Sequence, residues 1–280
     1  MGSFLTCDAA ACNKSLATRA CNAYLSAMRM ALLTLLALAA GAGAAEARCV
    51  VLLHGLARGE ASMMLMGLAL EQAGYRVINR GYPSTEAQIE ALLPEVDAAL
   101  ALCPEEGPVD FVTHSMGGIL LRAWSETGDP GRIGRAVMLG PPNAGSELVD
   151  ALSGLAPFDW VNGPAGAQLG TGAGSVPRAL GPVGFEVGVI AGKASLNPIY
   201  SSIIPGTDDG KVSVAATALT GMADHVVVTA SHTFMMNNPL VIAQTLTFLE
   251  TGRFDHEMRW SDALAQAIAG GWTGVTPPAD

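Results

Sequence analysis

The stretch that decides the fold is VTHSMGG at residues 112–118, in which a serine is followed by methionine and two glycines. It joins VDFVTH (109–114), a run of strand length, to GGILLRAWSET (117–127), which has the spacing of a helix. A serine at a tight strand-to-helix turn projects its hydroxyl out of the sheet, and the helix N-terminus behind it offers backbone N–H groups and a positive dipole end. The stretch therefore predicts that Ser115 is a nucleophile; a serine that only caps the helix is the alternative.

Outside this stretch the chain alternates between short apolar runs and longer segments with helical spacing. The runs of strand length lie at residues 49–54, 75–79, 109–114, 134–140, 186–192 and 225–230. The helical patterns lie at 61–74, 85–103, 117–127 and 239–250. Apolar strands separated by helices indicate an α/β fold with a mostly parallel sheet that helices cover on both faces. In the helix predicted from residue 85, we expect Thr85 to be the N-cap and Pro94 to kink or break the helix.

The region 141–186 interrupts this alternation. It is rich in Gly, Pro and Ala and contains one short helical candidate, at 146–155. A loop of this length inside a compact domain is usually functional. We therefore expect a lid-like insertion or a binding loop in this region.

The N-terminal residues have the layout of a secretory signal peptide. Arg29 supplies a positive start, residues 31–40 are apolar, and Ala45-Glu46-Ala47 matches an A-x-A cleavage pattern. A transmembrane anchor is the alternative, but about 20 apolar residues are needed to cross a bilayer and this run becomes Gly-rich too soon. Cleavage near Ala47 would export the protein to the periplasm or the medium, without a stable membrane anchor.

These patterns divide the chain into three parts. We expect residues 1–47 to be the leader, with 28–47 as the signal peptide proper and with 1–27 read as a candidate mis-called start. Residues 48–250 form the α/β domain. Residues 251–280 form a C-terminal tail with one helical candidate, SDALAQAIAG.

Export changes how the cysteines are interpreted. Cys7, Cys12 and Cys21 would be lost with the leader, which leaves Cys49 and Cys103. An even pair in an oxidising compartment predicts one disulfide bond between them. Two buried free thiols are the alternative, because free cysteine is often simply part of a core.

The composition argues against several classes of protein. Half of the residues are hydrophobic and 14% are charged, which favours a large buried core over disorder. A formal net charge of −10 argues against nucleic acid or an anionic membrane surface as a partner. No cluster of His, Cys and carboxylate residues has the spacing of metal ligands, so no metal is expected.

A nucleophilic serine needs a base, and the base needs an acid that orients it. Of the five histidines, His232 follows the last predicted strand, which places it at the same sheet edge as Ser115. His54 ends the first strand, and we expect it to have a structural role or to belong to the loop whose backbone N–H groups would bind an oxygen of the substrate. Of the other three, His114 lies beside the serine, His225 at the start of a strand and His256 in the tail. We therefore predict that His232 is the base.

For a nucleophilic serine on a strand-to-helix turn, the expected chain order is Ser, acid, His, so we expect the acid between Ser115 and His232. IIPGTDDGKVSV (203–214) offers Asp208 and Asp209 in a turn-rich loop. Gly210 permits the tight turn that would aim a carboxylate inward, which favours Asp209 over Asp208. Asp224, directly before a strand, is a third candidate.

Two backbone N–H groups have to meet the negative charge that develops on the substrate oxygen. Met116 would supply one at the start of the helix, and Leu56, in the loop after the first strand, would supply the other. The apolar segments 61–68 and 155–160 are candidates for an acyl pocket, with packing in a helix core as the alternative for the methionines. The residues expected to line this pocket are Leu56, Met63, Met64 and Trp160.

Several segments together resemble the α/β-hydrolase lipases and esterases, in the branch whose serine turn reads T-H-S-M-G-G. The segments are LLHGLA (52–57), THSMGG (113–118), GPPNAGS (140–146), GTDDGKVS (206–213) and ASHTFMM (230–236). The resemblance covers roughly residues 49–250. One position departs from the general G-x-S-x-G pattern, because Thr113 stands where that pattern has glycine.

The resemblance implies an eight-stranded, mostly parallel sheet that lacks its first strands here, a Ser-Asp-His triad and no cofactor. The family's Asp-Gly-x-Val segment matches residues 209–212 and so supports Asp209, and the family's histidine after the last strand matches His232. Asn143–Ser146 matches a loop that supports the site. The implied activity is hydrolysis of a small-molecule or lipid carboxylic ester through an acyl-enzyme. Acyl transfer, thioester or amide cleavage by the same triad, and a non-catalytic binding protein on the same scaffold, are the alternatives.

Overall fold

A computed structural model describes residues 47–268 and Trp272, without the side chains of residues 157–159. The predicted leader up to residue 46 lies outside the described residues, so the signal peptide stays a prediction. The end of the predicted tail, at 269–271 and 273–280, also lies outside them.

The described residues contain a six-stranded sheet in which every neighbouring pair of strands is parallel. The strands are β1 (Cys49–Leu53), β2 (Arg76–Asn79), β3 (Val109–His114), β4 (Ile133–Leu139), β5 (Glu186–Gly192) and β6 (Asp224–Val228). Their order across the sheet is β2-β1-β3-β4-β5-β6. The predicted parallel sheet is confirmed, and its six strands among the described residues agree with the expectation of a sheet that lacks some of the family's eight strands.

Helices alternate with the strands, as the sequence pattern predicts. They are α1 (Met64–Gln72), α2 (Ile89–Leu100), α3 (Met116–Thr127), α4 (Glu147–Leu152), α5 (Ala156–Ala167), α6 (Val176–Ala179), α7 (Pro198–Ile203), α8 (Val214–Thr217), α9 (Pro239–Thr251) and α10 (Trp260–Ile268). Short 3-10 turns lie at Glu60–Met63, Pro130–Arg132 and Met235–Asn237.

The helices cover both faces of the sheet because alternate strand residues point to opposite sides. On one face Val51 and Leu53 pack in a core cluster with residues of α2 and α3. On the other face Val50 and Leu52 pack with residues of α1 and α9. The predicted arrangement of a sheet between two helical layers is therefore confirmed.

The start of α2 differs from the prediction. The helix begins at Ile89 instead of near Thr85, with Gln88 in the N-cap position. The side-chain oxygen of Gln168 accepts a hydrogen bond from the backbone N–H of Ile89 at 2.7 Å, so a residue 79 positions away supplies the acceptor for the first N–H of the helix. Pro94 lies inside α2 and does not end it.

The region predicted as an insertion, 141–186, contains α4, α5 and α6. Helix α5 is interrupted at Gly163, whose φ of 61° lies outside the helical range. Two buried leucines of this region, Leu148 and Leu169, border the cavity described below. That the region opens and closes as a lid stays a prediction.

The described part of the predicted C-terminal tail packs on the sheet. Phe254, Ala263 and Trp272 are buried in the same core cluster as α9. Helix α10 overlaps the helical candidate SDALAQAIAG. No helix within 47–268 has both the length and the apolar character needed to cross a membrane.

Cys49 and Cys103 form a disulfide bond, with their Cα atoms 5.8 Å apart. Cys49 begins β1 and Cys103 follows α2. The bond therefore ties the first strand to a helix that covers it. Both residues are buried.

Candidate active site

The turn that carries Ser115 has a strained backbone. Ser115 lies between the end of β3 and the first residue of α3, with φ 54° and ψ −122°. Residues other than glycine rarely adopt positive φ, and such a conformation costs on the order of 1–3 kcal/mol. The backbone N–H of Ser115 donates to the carbonyl of Leu139 on β4 at 2.9 Å, which ties the turn to the neighbouring strand. The serine hydroxyl thus lies at the carboxyl edge of the sheet.

Two glycines bring the loop after β1 against this turn. A Cβ atom at Gly55 would lie 2.7 Å from Nδ1 of His114 and 3.1 Å from Cβ of Ser115. A Cβ atom at Gly117 would collide with the carbonyl oxygen of Leu53 at the end of β1. A side chain at either position would displace its neighbours. The absence of a side chain at both positions therefore allows the loop after β1 to lie close to the serine.

His232 lies in the loop after β6, at the same edge of the sheet as the serine. Its Nε2 atom is 3.0 Å from Oγ of Ser115. Its backbone N–H donates to the carbonyl of Asp209 at 2.9 Å. The side chain is only 4% exposed, so the imidazole has little freedom to turn away.

Asp209 lies in the loop between α7 and α8. Its Oδ2 atom is 2.8 Å from Nδ1 of His232. Its Oδ1 atom accepts hydrogen bonds from the backbone N–H groups of Lys211 at 3.0 Å and Val212 at 2.8 Å. The carboxylate, with a fully buried side chain, is therefore fixed toward the imidazole.

Asp208 has a different set of partners. Its Oδ1 atom accepts hydrogen bonds from the hydroxyl of Ser201 at 2.8 Å and from the N–H of Gly210 at 2.7 Å. Gly210 has a φ of 96°, as the tight turn inferred from the sequence requires. Asp208 thus holds the turn, and Asp209 faces His232.

The three side chains form a hydrogen-bonded chain with a defined direction. A carboxylate only accepts hydrogen bonds, so Nδ1 of His232 carries the proton toward Asp209. Nε2 of His232 is then an acceptor that faces the hydroxyl of Ser115. This arrangement can remove the proton from the serine hydroxyl. Among the described residues, no group of three or more His, Cys, Asp and Glu side chains is suited to hold a metal ion.

Two other buried histidines hold the surrounding backbone. Burial lowers the pKa of His114 well below its ordinary value, and the neutral ring donates from Nε2 to the carbonyl of His232 at 3.0 Å. Burial also lowers the pKa of His54. The Nδ1 atom of His54 donates to the carbonyl of Gly55 at 2.9 Å, and its Nε2 accepts from the N–H of Tyr82 at 3.2 Å. Both rings position loops of the site.

The remaining candidates for acid and base lie away from the serine. Asp224 and His225 begin β6 and so lie at the opposite edge of the sheet from His232. Oδ1 of Asp224 pairs with Nε2 of His256 at 3.0 Å. The hydroxyl of Thr217 hydrogen-bonds to Nε2 of His225 at 3.0 Å. These contacts give each of the three residues a structural partner outside the site.

The two residues predicted to supply backbone N–H groups approach the serine from different elements. Met116 is the first residue of α3, where a helix offers N–H groups that have no intrahelical partner. Leu56 follows Gly55 in the loop packed against Ser115, and it lines the same cavity as the serine. Their role as donors to a substrate oxygen remains a proposal.

A cavity of about 610 Å³ opens at Ser115 and His232. Its apolar lining comes largely from the region 141–186, which forms one wall. The apolar lining residues are Leu56, Pro142, Leu148, Val149, Leu152, Leu155, Val161, Leu169 and Val212. The hydroxyl of Ser115 therefore borders a space suited to a hydrocarbon chain.

Three residues predicted for the acyl pocket do not line this cavity. Met63 is fully buried in the core cluster on the sheet face that α1 and α9 cover. Met64 and Trp160 are 56% and 87% exposed. For the two methionines the prediction was wrong because the largely apolar segment 61–68 does not reveal which side chains face the sheet. It was also wrong for Trp160, whose side chain on α5 faces solvent. Of the predicted pocket residues, Leu56 does line the cavity.

Two basic residues at the cavity escaped the sequence analysis. Arg58 and Lys211 both line it. Each lies two positions after a residue predicted for the site, Leu56 and Asp209 respectively. That proximity to the motif residues was the available signal.

Comparison with known proteins adds information on the fold. No family model and no curated protein matches the chain. The chain is similar to the mature form of the Bacillus licheniformis lipase BlEst2, with a TM-score of 0.55 and 19% identity over 73% of this chain and 92% of that one. It is similar to the phospholipase PlaB from Legionella pneumophila, with a TM-score of 0.58 and 15% identity over 75% of this chain and 60% of that one. It is also similar to the metagenomic carboxyl esterase MGS0156, with a TM-score of 0.55 and 18% identity over 81% of this chain and 75% of that one.

At sequence identities this low, the structural similarity shows the fold alone. The parallel sheet, the helical layers on both faces and the strained strand-to-helix turn agree with that fold. The chain has the α/β-hydrolase fold that these lipases and esterases share.

Proposed function

We propose that this protein hydrolyses carboxylic esters by way of a covalent acyl-enzyme. The observation that carries the proposal is the hydrogen-bonded chain from Ser115 through His232 to Asp209 at the mouth of a largely apolar cavity. A hydroxyl, an imidazole and a carboxylate in this order are the parts that acyl transfer needs. The structural similarity to lipases and esterases supports the proposal at the level of the fold.

Ser115 is the proposed nucleophile and His232 the proposed general base. Nε2 of His232 takes the hydroxyl proton while Oγ of Ser115 attacks the ester carbonyl carbon. The tetrahedral intermediate collapses when His232 gives this proton to the oxygen of the leaving alcohol. A water molecule then attacks the acyl-enzyme while His232 takes one of its protons, and His232 returns that proton to Oγ of Ser115 as the carboxylic acid leaves.

Asp209 is the proposed positioning group for the base. Its carboxylate keeps the proton of the neutral imidazole on Nδ1 and stabilises the imidazolium that forms during each proton transfer. It does not take the proton itself. The hydrogen bonds from the backbone N–H groups of Lys211 and Val212 support this role, because they hold Oδ1 and leave Oδ2 facing Nδ1 of His232.

The backbone N–H groups of Leu56 and Met116 are the proposed donors to the oxyanion. One comes from the loop after β1 and the other from the start of α3, and the glycine contacts between these segments support their convergence. The loss of one such donor typically lowers the rate by a factor of about 10²–10³. The positive end of the α3 dipole would add to the stabilisation of the same charge.

We place the acyl chain of the substrate in the apolar cavity beside Ser115. Its volume of about 610 Å³ lies within the range of small-molecule sites, roughly 300–1,000 Å³. The region 141–186 would act as the lid that borders it. The Cys49–Cys103 disulfide supports the proposed export, since disulfides persist in oxidising compartments.

The test is the hydrolysis of p-nitrophenyl butyrate by the purified protein and by two serine variants. Ser115→Ala is expected to lower kcat by at least about 10⁴, the scale on which removal of such a nucleophile acts. Ser261→Ala, an exposed serine on α10, is the matched control and should keep wild-type activity. Retention of a hundredth or more of the activity in folded Ser115→Ala would contradict the proposal.

A second arm of this assay separates hydrolysis of esters from the rival reactions of the same triad. Butyryl thioesters and butyryl anilides are compared with the ester by kcat/KM, and methanol is added as a competing acceptor. Ester hydrolysis predicts the highest kcat/KM for the ester and butyric acid as the main product. A main product of methyl butyrate at low methanol concentration would instead identify an acyltransferase.

A further inference from the structure

Two cationic side chains, Arg58 and Lys211, line the cavity beside Ser115. Arg58 lies in the loop that carries Leu56, and Lys211 lies in the loop that carries Asp209, so they come from different segments of the site. None of the residues found to line the cavity in the described part of the chain is a carboxylate. An otherwise largely apolar cavity therefore has positive charge near the serine.

Neither cation takes part in an ion pair with the residues that the structure describes. The arginines that do so are Arg48, Arg80 and Arg135. Unpaired cations are notable in a chain with 25 acidic and 15 basic residues. The charge of Asp209 acts on Lys211, but hydrogen bonds from His232 and two backbone N–H groups already engage both of its oxygens.

The two cations also act on each other and on the serine turn. Desolvation lowers the pKa of the Arg58 guanidinium. Desolvation and then the charge of Arg58 lower the pKa of the Lys211 ammonium. Because Lys211 is an exposed residue, solvent screens part of this effect. Both charges contribute to the lowered pKa of His114, the residue before Ser115. The positive potential therefore reaches the end of the cavity where the chemistry would take place.

We propose that the substrate is an ester with a second, anionic group, a carboxylate or a phosphate, which Arg58 and Lys211 bind while the ester carbonyl lies at Ser115. The inference rests on the proposed ester hydrolysis and names its substrate class. An oxygen anion between the two cations would offset the desolvation of Arg58 and the repulsion between the two positive charges. The planar guanidinium and the compact ammonium both form charge-assisted hydrogen bonds to such an anion.

Matched pairs of esters distinguish the two sources of the negative charge. Mono-p-nitrophenyl adipate and p-nitrophenyl hexanoate differ by a terminal carboxylate on the acyl side. Dihexanoyl phosphatidate and dihexanoylglycerol differ by a phosphate on the alcohol side. The wild-type protein is expected to show a kcat/KM about tenfold or more higher for the anionic member of at least one pair. The pair that shows the preference identifies the source.

Charge-removing variants test whether these two residues cause the preference. Arg58→Gln and Lys211→Gln are each expected to lower the ratio of kcat/KM for the anionic ester over the neutral ester, by about tenfold. Arg259→Gln, an exposed arginine on the C-terminal segment, removes the same charge as a control and should leave the ratio unchanged. Higher salt should also reduce the wild-type ratio. Ratios of one or less in both wild-type pairs, or ratios that neither variant changes, overturn the inference.

A binding measurement separates failure of this inference from failure of the proposed function. If the protein cleaves none of the esters, the proposed hydrolysis fails, and calorimetric titration with octyl phosphate, octanoate and octanol then decides the anion site. Tighter binding of an anionic ligand than of octanol, weakened in Lys211→Gln and not in Arg259→Gln, supports the site. Equal binding of all three ligands overturns it.

Discussion

Replacement of Asp209 by asparagine is expected to inactivate the protein and leave its fold intact. The reason lies in the hydrogen bonds of the two carboxylate oxygens. Oδ1 accepts from the N–H groups of Lys211 and Val212, at 3.0 and 2.8 Å, so an asparagine has to keep its carbonyl oxygen at that position. Its NH₂ group then occupies the position of Oδ2, 2.8 Å from Nδ1 of His232.

The consequence is a changed tautomer of His232. The NH₂ group donates, so Nδ1 has to accept and the single proton of the neutral ring moves to Nε2. A protonated Nε2 cannot accept the proton of the Ser115 hydroxyl, and the base is lost. The equivalent change in a serine protease lowers kcat by about 10⁴, which corresponds to about 5 kcal/mol on the activation barrier. We expect a loss of this size.

The assay is kcat for p-nitrophenyl butyrate near neutral pH, with the midpoint of thermal unfolding measured on the same samples. Asp208→Asn is the matched control, because Asp208 contacts Ser201 and Gly210 instead of His232. Its kcat should fall by less than about tenfold, the effect of loosening a loop. The reasoning is refuted if folded Asp209→Asn keeps more than a tenth of the wild-type kcat, or if Asp208→Asn loses as much activity.

Three further predictions concern stability and can all be measured by unfolding in urea. Replacement of both Cys49 and Cys103 by alanine should lower the free energy of unfolding by about 4 kcal/mol, from the 54-residue separation of the two cysteines, and an unchanged midpoint would contradict this. Burial lowers the pKa of His114, so below a pH of about 6.5 the unfolded chain binds more protons than the folded one. The free energy of unfolding should therefore fall as the pH is lowered further, by up to about 1.4 kcal/mol per pH unit for this group. The variant His114→Gln should show a shallower drop between pH values of about 7.5 and 5.5, and equal slopes would disprove the assignment. Gly117→Ala would place a Cβ atom against the carbonyl oxygens at the end of β1 and should lower the free energy of unfolding by about 1–3 kcal/mol. Gly184→Ala is the control and should leave stability unchanged, because its Cβ atom would have no other atom within 4 Å.

The features of the site that depend on neighbouring residues can be predicted from the sequence. VTHSMGG marks the end of a strand and the start of a helix over seven residues, which is enough to predict the turn at Ser115. The carboxyl ends of parallel strands meet at one edge of a sheet, so the sequence also indicates that residues after different strands gather there. The structure brings His232 and Asp209 to the serine at that edge. Gly210 distinguishes Asp209 from Asp208 for the same local reason.

The parts that the sequence does not reveal depend on packing between distant segments. The amide of Gln168 caps α2 across 79 residues, and nothing near Thr85 indicates such a partner. The cavity wall comes from region 141–186, whose position over the sheet edge is a result of tertiary packing. The helix that contains Met64 is apolar around most of its circumference, so periodicity does not determine which methionines face the core.

The central claim is that the hydroxyl of Ser115 is an activated nucleophile in the folded protein. The most direct measurement is the reaction of the native chain with a fluorophosphonate probe, followed by intact mass and peptide mapping. We predict one adduct per chain, on Ser115, formed far more slowly in His232→Ala and absent after unfolding in urea. No adduct on the folded protein, or an adduct of the same yield in Ser115→Ala, would contradict the claim.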